Sequence, residues 1–255
     1  MAFIINADDL GQSQTINRAI REYAERNLIS SATILANGPC FDEVRSIAQN
    51  YPNISFGVHL NITQFEALTS LNDLKEYGIV DGGNTLKRFA TWGNFRWNSR
   101  IRAAIHGEWA AQIERLLDNK IRISHIDGHQ HKHLLKELFV VLKRLQMKYR
   151  IRRVRVVSRG PLAAKIDKAF LSNRIHYYML KYIYRTKTPA IFSTYLDMYN
   201  LLKGGHKLPA NRVIELMTHP GGTSLPYFRE ENELMEQSSI PKVVAGFKLI
   251  SYWDL

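Results

Sequence analysis

Cysteine is almost absent from this chain of 255 residues: Cys40 stands alone. An internal disulfide is therefore excluded, a reducing cytosolic setting is expected, and Cys40 reads as a small packing residue rather than a nucleophile. No run of about 20 apolar residues occurs, which excludes an ordinary membrane-spanning helix. The first residues, Met1-Ala2-Phe3-Ile4-Ile5-Asn6, offer no basic leader and no cleavage site, so no secretory signal is expected. Internal repeats, low-complexity tracts and linkers are missing too. The length suits one domain over residues 1–255 with a single sizeable core.

Acidic residues are missing from one segment. Between Lys143 and Lys187 fourteen Lys and Arg stand against Asp167 alone, a balance of +13 where the whole chain carries +12. The basicity thus belongs to this segment, and Tyr177, Tyr178, Tyr182 and Tyr184 interleave with Arg174, Lys181, Arg185 and Lys187. One reading is a solvated helical face whose aromatic side lies in the core. The other is an interfacial patch for anionic lipid head groups, at the inner face of a membrane. Nucleic-acid binding is disfavoured, because no recognition motif accompanies the charge.

Strands and helices alternate along what is present. Strand-like runs fall at Phe3–Asn6, Ala32–Ala36, Phe56–Leu60, Arg122–Ile126, Val154–Val157, Ile191–Tyr195 and Val213–Thr218. Ile16, Ala19, Ile20, Tyr23 and Ala24 share one helical face, with Ser13 or Thr15 as N-cap. The same period recurs in Trp109, Ile113, Leu116 and Leu117, and again in Leu134, Leu138, Val141, Leu142 and Leu145. Such alternation predicts an α/β fold with a parallel sheet, and about seven strands predict a barrel or an incomplete one. The stretch from Glu66 to Trp97, rich in Gly, Asn and Asp, reads as an excursion placed to cover a site.

Chemistry collects at the strand ends. The first ends Asn6-Ala7-Asp8-Asp9-Leu10-Gly11, the third Gly57-Val58-His59-Leu60-Asn61-Ile62-Thr63, and the last Met217-Thr218-His219-Pro220-Gly221-Gly222. The fourth runs into His125-Ile126-Asp127-Gly128-His129-Gln130-His131-Lys132-His133, four of the nine histidines. Each alone has a plain explanation: paired acids cap a following helix, and a single His in an apolar strand is a hydrogen-bonded core residue. Four strand ends finishing on Asp or His are hard to attribute to packing, and a barrel brings them to one rim. Imidazole and carboxylate together point to a metal-dependent site.

NADDLG, GVHLNIT, HIDGHQHKH and THPGG, in this order and spacing, resemble the YdjC-like carbohydrate deacetylases, a group with chito-oligosaccharide deacetylases and hopanoid-associated proteins among its members. The likeness runs from the first strand to about Gly222. It implies a distorted (β/α) barrel and removal of an acetyl group from an N-acetylated amino sugar, either a chito-oligosaccharide or a lipid-linked glycan. It implies Asp9, His59 and His129 as metal ligands, Asp8 as general base and His219 as general acid. It implies Mg²⁺ as the cation, whereas two imidazoles and a carboxylate suit Zn²⁺ on ligand softness. Two departures stand out. Leu10 replaces a usual Phe, and Arg155-Val156-Val157-Ser158-Arg159 stands where an Arg followed by Pro and Glu is expected, so no substrate contact is assigned there.

The remaining polar residues divide. If the fourth strand stays extended, His125, Asp127 and His129 point to one side. Asp127 is then expected to orient a ligand imidazole rather than bind metal itself. His125 and His131 are candidates for supporting or substrate-contacting roles, His131 and His133 either line the pocket or face water, and His106, His176 and His206 are expected at the surface. Rival functions are a metallohydrolase of another bond, such as a phosphoester, and a non-catalytic membrane- or nucleic-acid-binding protein. A homodimer is a further expectation.

Overall fold

The computed structural model describes residues 1–70, 72–87, 97–157, 175–176 and 178–255. Its centre is β1 (Ala2–Leu10), buried over nearly its whole length, as befits a parallel strand covered on both faces. Around it stand β2 (Ser31–Ile34), β3 (Ser55–Leu60), β4 (Ile126–Gly128), β5 (Ile191–Thr194), β6 (Val213–Thr218) and β7 (Lys248–Leu249). The order is β4-β3-β2-β1-β6-β5, every pairing is parallel, and β7 joins the start of β1. The sheet curls into a half-barrel with helices on its outer face, the expected α/β architecture.

Among the described residues the helices include α1 (Gln14–Glu25), α2 (Val44–Asn50), α3 (Asn72–Glu76), α4 (Ser99–Asp118), α5 (Phe139–Tyr149), α6 (Tyr195–Lys203), α7 (Pro226–Glu236) and α8 (Ser239–Val243). Ser13, not Thr15, caps α1 by accepting from the Ile16 N–H at 3.2 Å. Ile20, Tyr23 and Ala24 form its buried face. In α4 Trp109, Ile113 and Leu116 are buried as their spacing predicts, but Leu117 is exposed, because a one-residue step turns the side chain about 100° round the helix.

Two strands differ from expectation. Regular pairing of the fourth begins only at Ile126 and runs through Gly128, although Ser124 and His125 already bond to β3. The Ser124 N–H and hydroxyl both donate to the Phe56 carbonyl, but the Val58 N–H then reaches the His125 carbonyl rather than that of Ser124, which breaks the regular ladder there. The predicted strand Val154–Val157 is reduced to bridges of Val154 with Ile126 and of Arg153 with Lys187.

The excursion after Glu66 is tied down rather than loose. The buried Glu108 carboxylate accepts from the backbones of Leu68 and Thr69, and Asn37 donates to the Gln64 and Glu66 carbonyls. Its residues 71 and 88–96 lie outside the described residues. So do 158–174 and 177 of the basic segment, with Tyr177, Arg174, Ser158 and Arg159. Of the rest, Lys143 is not solvated: its Nζ donates to Gln146 Oε1, the Leu180 carbonyl and Thr186 Oγ1, and burial lowers its pKa to about 8. Tyr178 and Tyr182 stack on each other at the surface, so their aromatic side is not in the core. No helix among the described residues is long and apolar enough to cross a membrane.

Candidate active site

Consecutive strand residues point to opposite faces, so Asp8 and Asp9 should not share a site. They do because the pairing of β1 with β2 shifts register between Ala7 and Leu10, and Asp9 takes a left-handed φ of 70°. This irregularity turns both carboxylates into one cleft of about 350 Å³, lined also by Ser13, His219, Thr223 and Phe228. A left-handed aspartate inside a strand costs about 1 kcal/mol or more, and such strain is commonly kept where a side chain must be re-aimed.

Asp9 Oδ1 lies 3.0 Å from His129 Nδ1 and 3.3 Å from His59 Nε2. One donor atom from each of the three lies within 4.8 Å of the others. His59 and Asp127 are direct partners across β3 and β4, so they share a face, and Asp127 Oδ1 sits 2.7 Å from His59 Nδ1. That bond takes one ring nitrogen and leaves Nε2 toward Asp9, the carboxylate–histidine arrangement that orients metal-binding imidazoles. Burial pulls the His59 imidazolium down, but Asp127 and Asp9 outweigh it, and its pKa is pushed up to about 10. A proton there does what a cation would do among these groups. The buried His129 Nε2 has no partner among the described residues. The donor set fits a divalent cation.

Asp8 is held differently. Its two oxygens each lie 2.7 Å from the fork of Arg155, whose Nη1 is also 2.9 Å from Asp127 Oδ2 and whose Nε donates to Glu215 Oε1 at 2.7 Å. All four side chains are buried. Burial raises the Asp8 carboxyl, but the Arg155 charge and hydrogen bonds win and hold it well below the usual carboxylate range. Glu215 moves the other way: burial outweighs Arg155 and pushes it up to about 7. A second donor group, Asp8 with His59 and Asp127, also converges, but the Arg155 guanidinium already sits against its two carboxylates.

His219 follows β6. Its backbone N–H donates to Glu231 Oε1 at 2.8 Å, its Nδ1 lies 3.6 Å from the same oxygen, and its ring stacks on Phe228 at 4.3 Å. Burial lowers the imidazolium, yet Glu231 and the Asp8 and Asp9 charges raise its pKa overall.

The other histidines separate. His125 does not join His129. It is fully buried, stacks on Tyr252 at 3.5 Å and meets Ser124 Oγ at 2.7 Å, and a Cβ on Gly57 would overlap its ring. The regular strand starts after His125, and the chain turns sharply after Gly128, with Gln130 and His131 both left-handed. His133 neither lines the cleft nor faces water: it is buried with Nε2 3.0 Å from the Arg155 carbonyl. His131 packs edge-on to Phe192, and burial with the Arg155 charge lowers its pKa to about 3, so it is neutral. His176 is half-buried on the Leu134 carbonyl, whereas His206 is exposed.

Sequence reasoning missed Arg155, Glu215, Glu231 and Tyr252. The signal for two of them was a charged residue inside an apolar run, as in Val154-Arg155-Val156 and Ile214-Glu215-Leu216, since a buried charge needs a partner.

Fold and site together define a parallel α/β half-barrel with an Asp–His–His donor set at its strand ends. The chain belongs to the YdjC-like protein family, whose family model matches residues 2–243. A carbohydrate deacetylase of Vibrio campbellii is 32% identical over 153 residues, 59% of this chain and 57% of the relative. The chain thus spans little more than half of that relative's length. A carbohydrate deacetylase of Listeria monocytogenes serotype 4a is 29% identical, covering 86% of this chain and 81% of the relative. Among solved structures, an Enterococcus faecalis V583 protein provisionally described as a cellobiose-phosphate cleavage protein superposes with a TM-score of 0.78, at 22% identity over 99% of this chain and 98% of its own. At that identity the likeness shows the fold.

Proposed function

We propose that the protein hydrolyses the acetamide of an N-acetylated amino sugar, releasing acetate and a free amine. The observation that carries this reading is a pair of groups on one cleft beside the donor set: Asp8, kept ionised by Arg155, and His219, whose protonated form Glu231 favours. The relatives named carbohydrate deacetylase support the substrate class. An amide resists water because its carbonyl oxygen must take charge and its nitrogen leaves badly. Asp8 takes the proton of the attacking water, and His219 gives a proton to the departing nitrogen. Asp9, His59 and His129 hold a divalent cation. When bound, it supplies polarisation of the acetyl carbonyl and acidity of water, which matters because the Arg155 pair makes Asp8 a weak base. Two nitrogens to one carboxylate favour Zn²⁺, and the family likeness favours Mg²⁺.

Acetate release from a panel of N-acetylated sugars and glycolipids, with stripped protein reloaded with each metal, tests this. Acetate from at least one is expected, and phosphate release from a phosphorylated sugar without acetate would overturn it. The exposed Ile175, Met179, Tyr182 and Ile183, with exposed Arg144, Arg150 and Arg185 nearby in sequence, favour meeting a lipid-linked substrate at an anionic membrane surface. Co-sedimentation with phosphatidylglycerol vesicles at low salt is expected, and equal binding to neutral vesicles would count against it.

A further inference from the structure

Arg155 has more to hold than Asp8. Its guanidinium faces three buried carboxylates: the fork meets Asp8 and Asp127 together, and the Nε end is pinned separately. That pin is Glu215, midway along β6, whose Oε1 takes the Nε–H at 2.7 Å. The other Glu215 oxygen accepts from Tyr252 Oη at 2.6 Å. Tyr252 is fully buried and lies beyond the residues the family model matches.

Tyr252 is itself fixed from three sides. Its backbone N–H donates to Ser55 Oγ at 3.1 Å, its ring lies flat on His125, and Ser251 and Asp254 close a capping box around it. The Gly57 backbone leaves room for the His125 ring that forms the other side of this stack. A rigid series of contacts therefore runs from the β3 strand through Tyr252, Glu215 and Arg155 to Asp8.

We propose that Glu215 and Tyr252 are positioning residues for the general base: Tyr252 Oη holds Glu215, Glu215 holds the Arg155 Nε–H, and the guanidinium so aimed presents Asp8 to the cleft. Remove the phenol hydroxyl and one oxygen of a buried carboxylate loses its donor. Glu215 then turns to recover one, and Arg155 swings with it. Neither residue touches the donor set or lines the cleft, so substrate binding is left alone, and the metal is reached only indirectly, through the contact of Arg155 with Asp127 behind His59. The kinetic consequence rests on the reading of Asp8 as base.

Tyr252→Phe keeps the ring on His125 and deletes only the hydroxyl. It is expected to lower kcat about tenfold, the worth of one hydrogen bond, with KM unchanged when the assay is run at saturating metal. Glu215→Gln keeps an acceptor for Arg155 and should retain more activity than Glu215→Ala. A lowered Tm with kcat intact in Tyr252→Phe would mean a purely structural role and would overturn the proposal. A second measurement does not depend on activity. The Arg155 Nε–H resonance in a ¹⁵N spectrum, identified by its loss in Arg155→Lys, is expected to shift and to exchange faster with water in Tyr252→Phe. An unmoved resonance refutes the relay whatever the kinetics. A moved resonance in a protein whose wild type releases no acetate sustains the relay and overturns the deacetylase reading instead.

Discussion

Asp8 and Asp9 are chemically identical neighbours with opposite duties, and the difference lies in what each meets. Arg155 occupies both oxygens of Asp8, while Asp9 faces two imidazole nitrogens. Asp8→Asn is therefore expected to retain bound metal while lowering kcat by roughly 10²–10⁴, the usual worth of a general base. Asp9→Ala is expected to lose the metal, and stoichiometric metal by elemental analysis in that variant would refute its assignment. His59 adds a pH dependence. Its pKa in the metal-free protein is raised from 6.5 to about 10, so near pH 7 it carries a proton that a cation must displace. Metal affinity should accordingly climb with pH between those values. Calorimetric titration in buffers of different ionisation enthalpy should find about one proton released per ion, and none released would contradict the ligand set.

At the scale of elements, the site depends on how closely β4 approaches β3. Gly128 pairs with Leu60, and a Cβ there would lie 2.9 Å from the Leu60 carbonyl and 2.8 Å from His133 Nδ1. The His133 ring could give way, but the Leu60 carbonyl is backbone, so the strands must part to admit a side chain. Gly128→Ala is expected to cost about 1–3 kcal/mol, the usual penalty of overpacking, and to weaken metal binding because His129 is the next residue. A Tm within a degree of wild type would show that β4 tolerates the shift. Element boundaries were also where sequence reasoning fell short. Apolar, β-prone residues at Ile123 and Val156 marked the right regions, but outside Ile126–Gly128 the pairing there falls to single bridges, Ile126 with Val154 and Arg153 with Lys187. Regular pairing needs a continuous partner, and periodicity in one strand says nothing of its neighbour's length.

For the whole molecule, Asp9, His59 and His129 come from the ends of three different strands, so a bound cation ties β1, β3 and β4 together. A ligand that binds only the folded state, at a hundred times its Kd, adds about 2.7 kcal/mol. Reloading chelator-stripped protein should raise Tm by several degrees in wild type and not in Asp9→Ala. Alternating strand and helix patterns, one parallel α/β domain and the strand ends that carry Asp and His were all determined by the sequence, because period and residue type are local properties. Tertiary structure alone decided the rest. A register shift set Asp8 and Asp9 in one cleft, strand order put Asp127 behind His59, and closure of the half-barrel brought Arg155, Glu215 and Tyr252 into one buried network. A buried charge is visible in a sequence as an oddity, but the partners of Arg155 lie 28 to 147 residues away and are chosen only when the sheet curls.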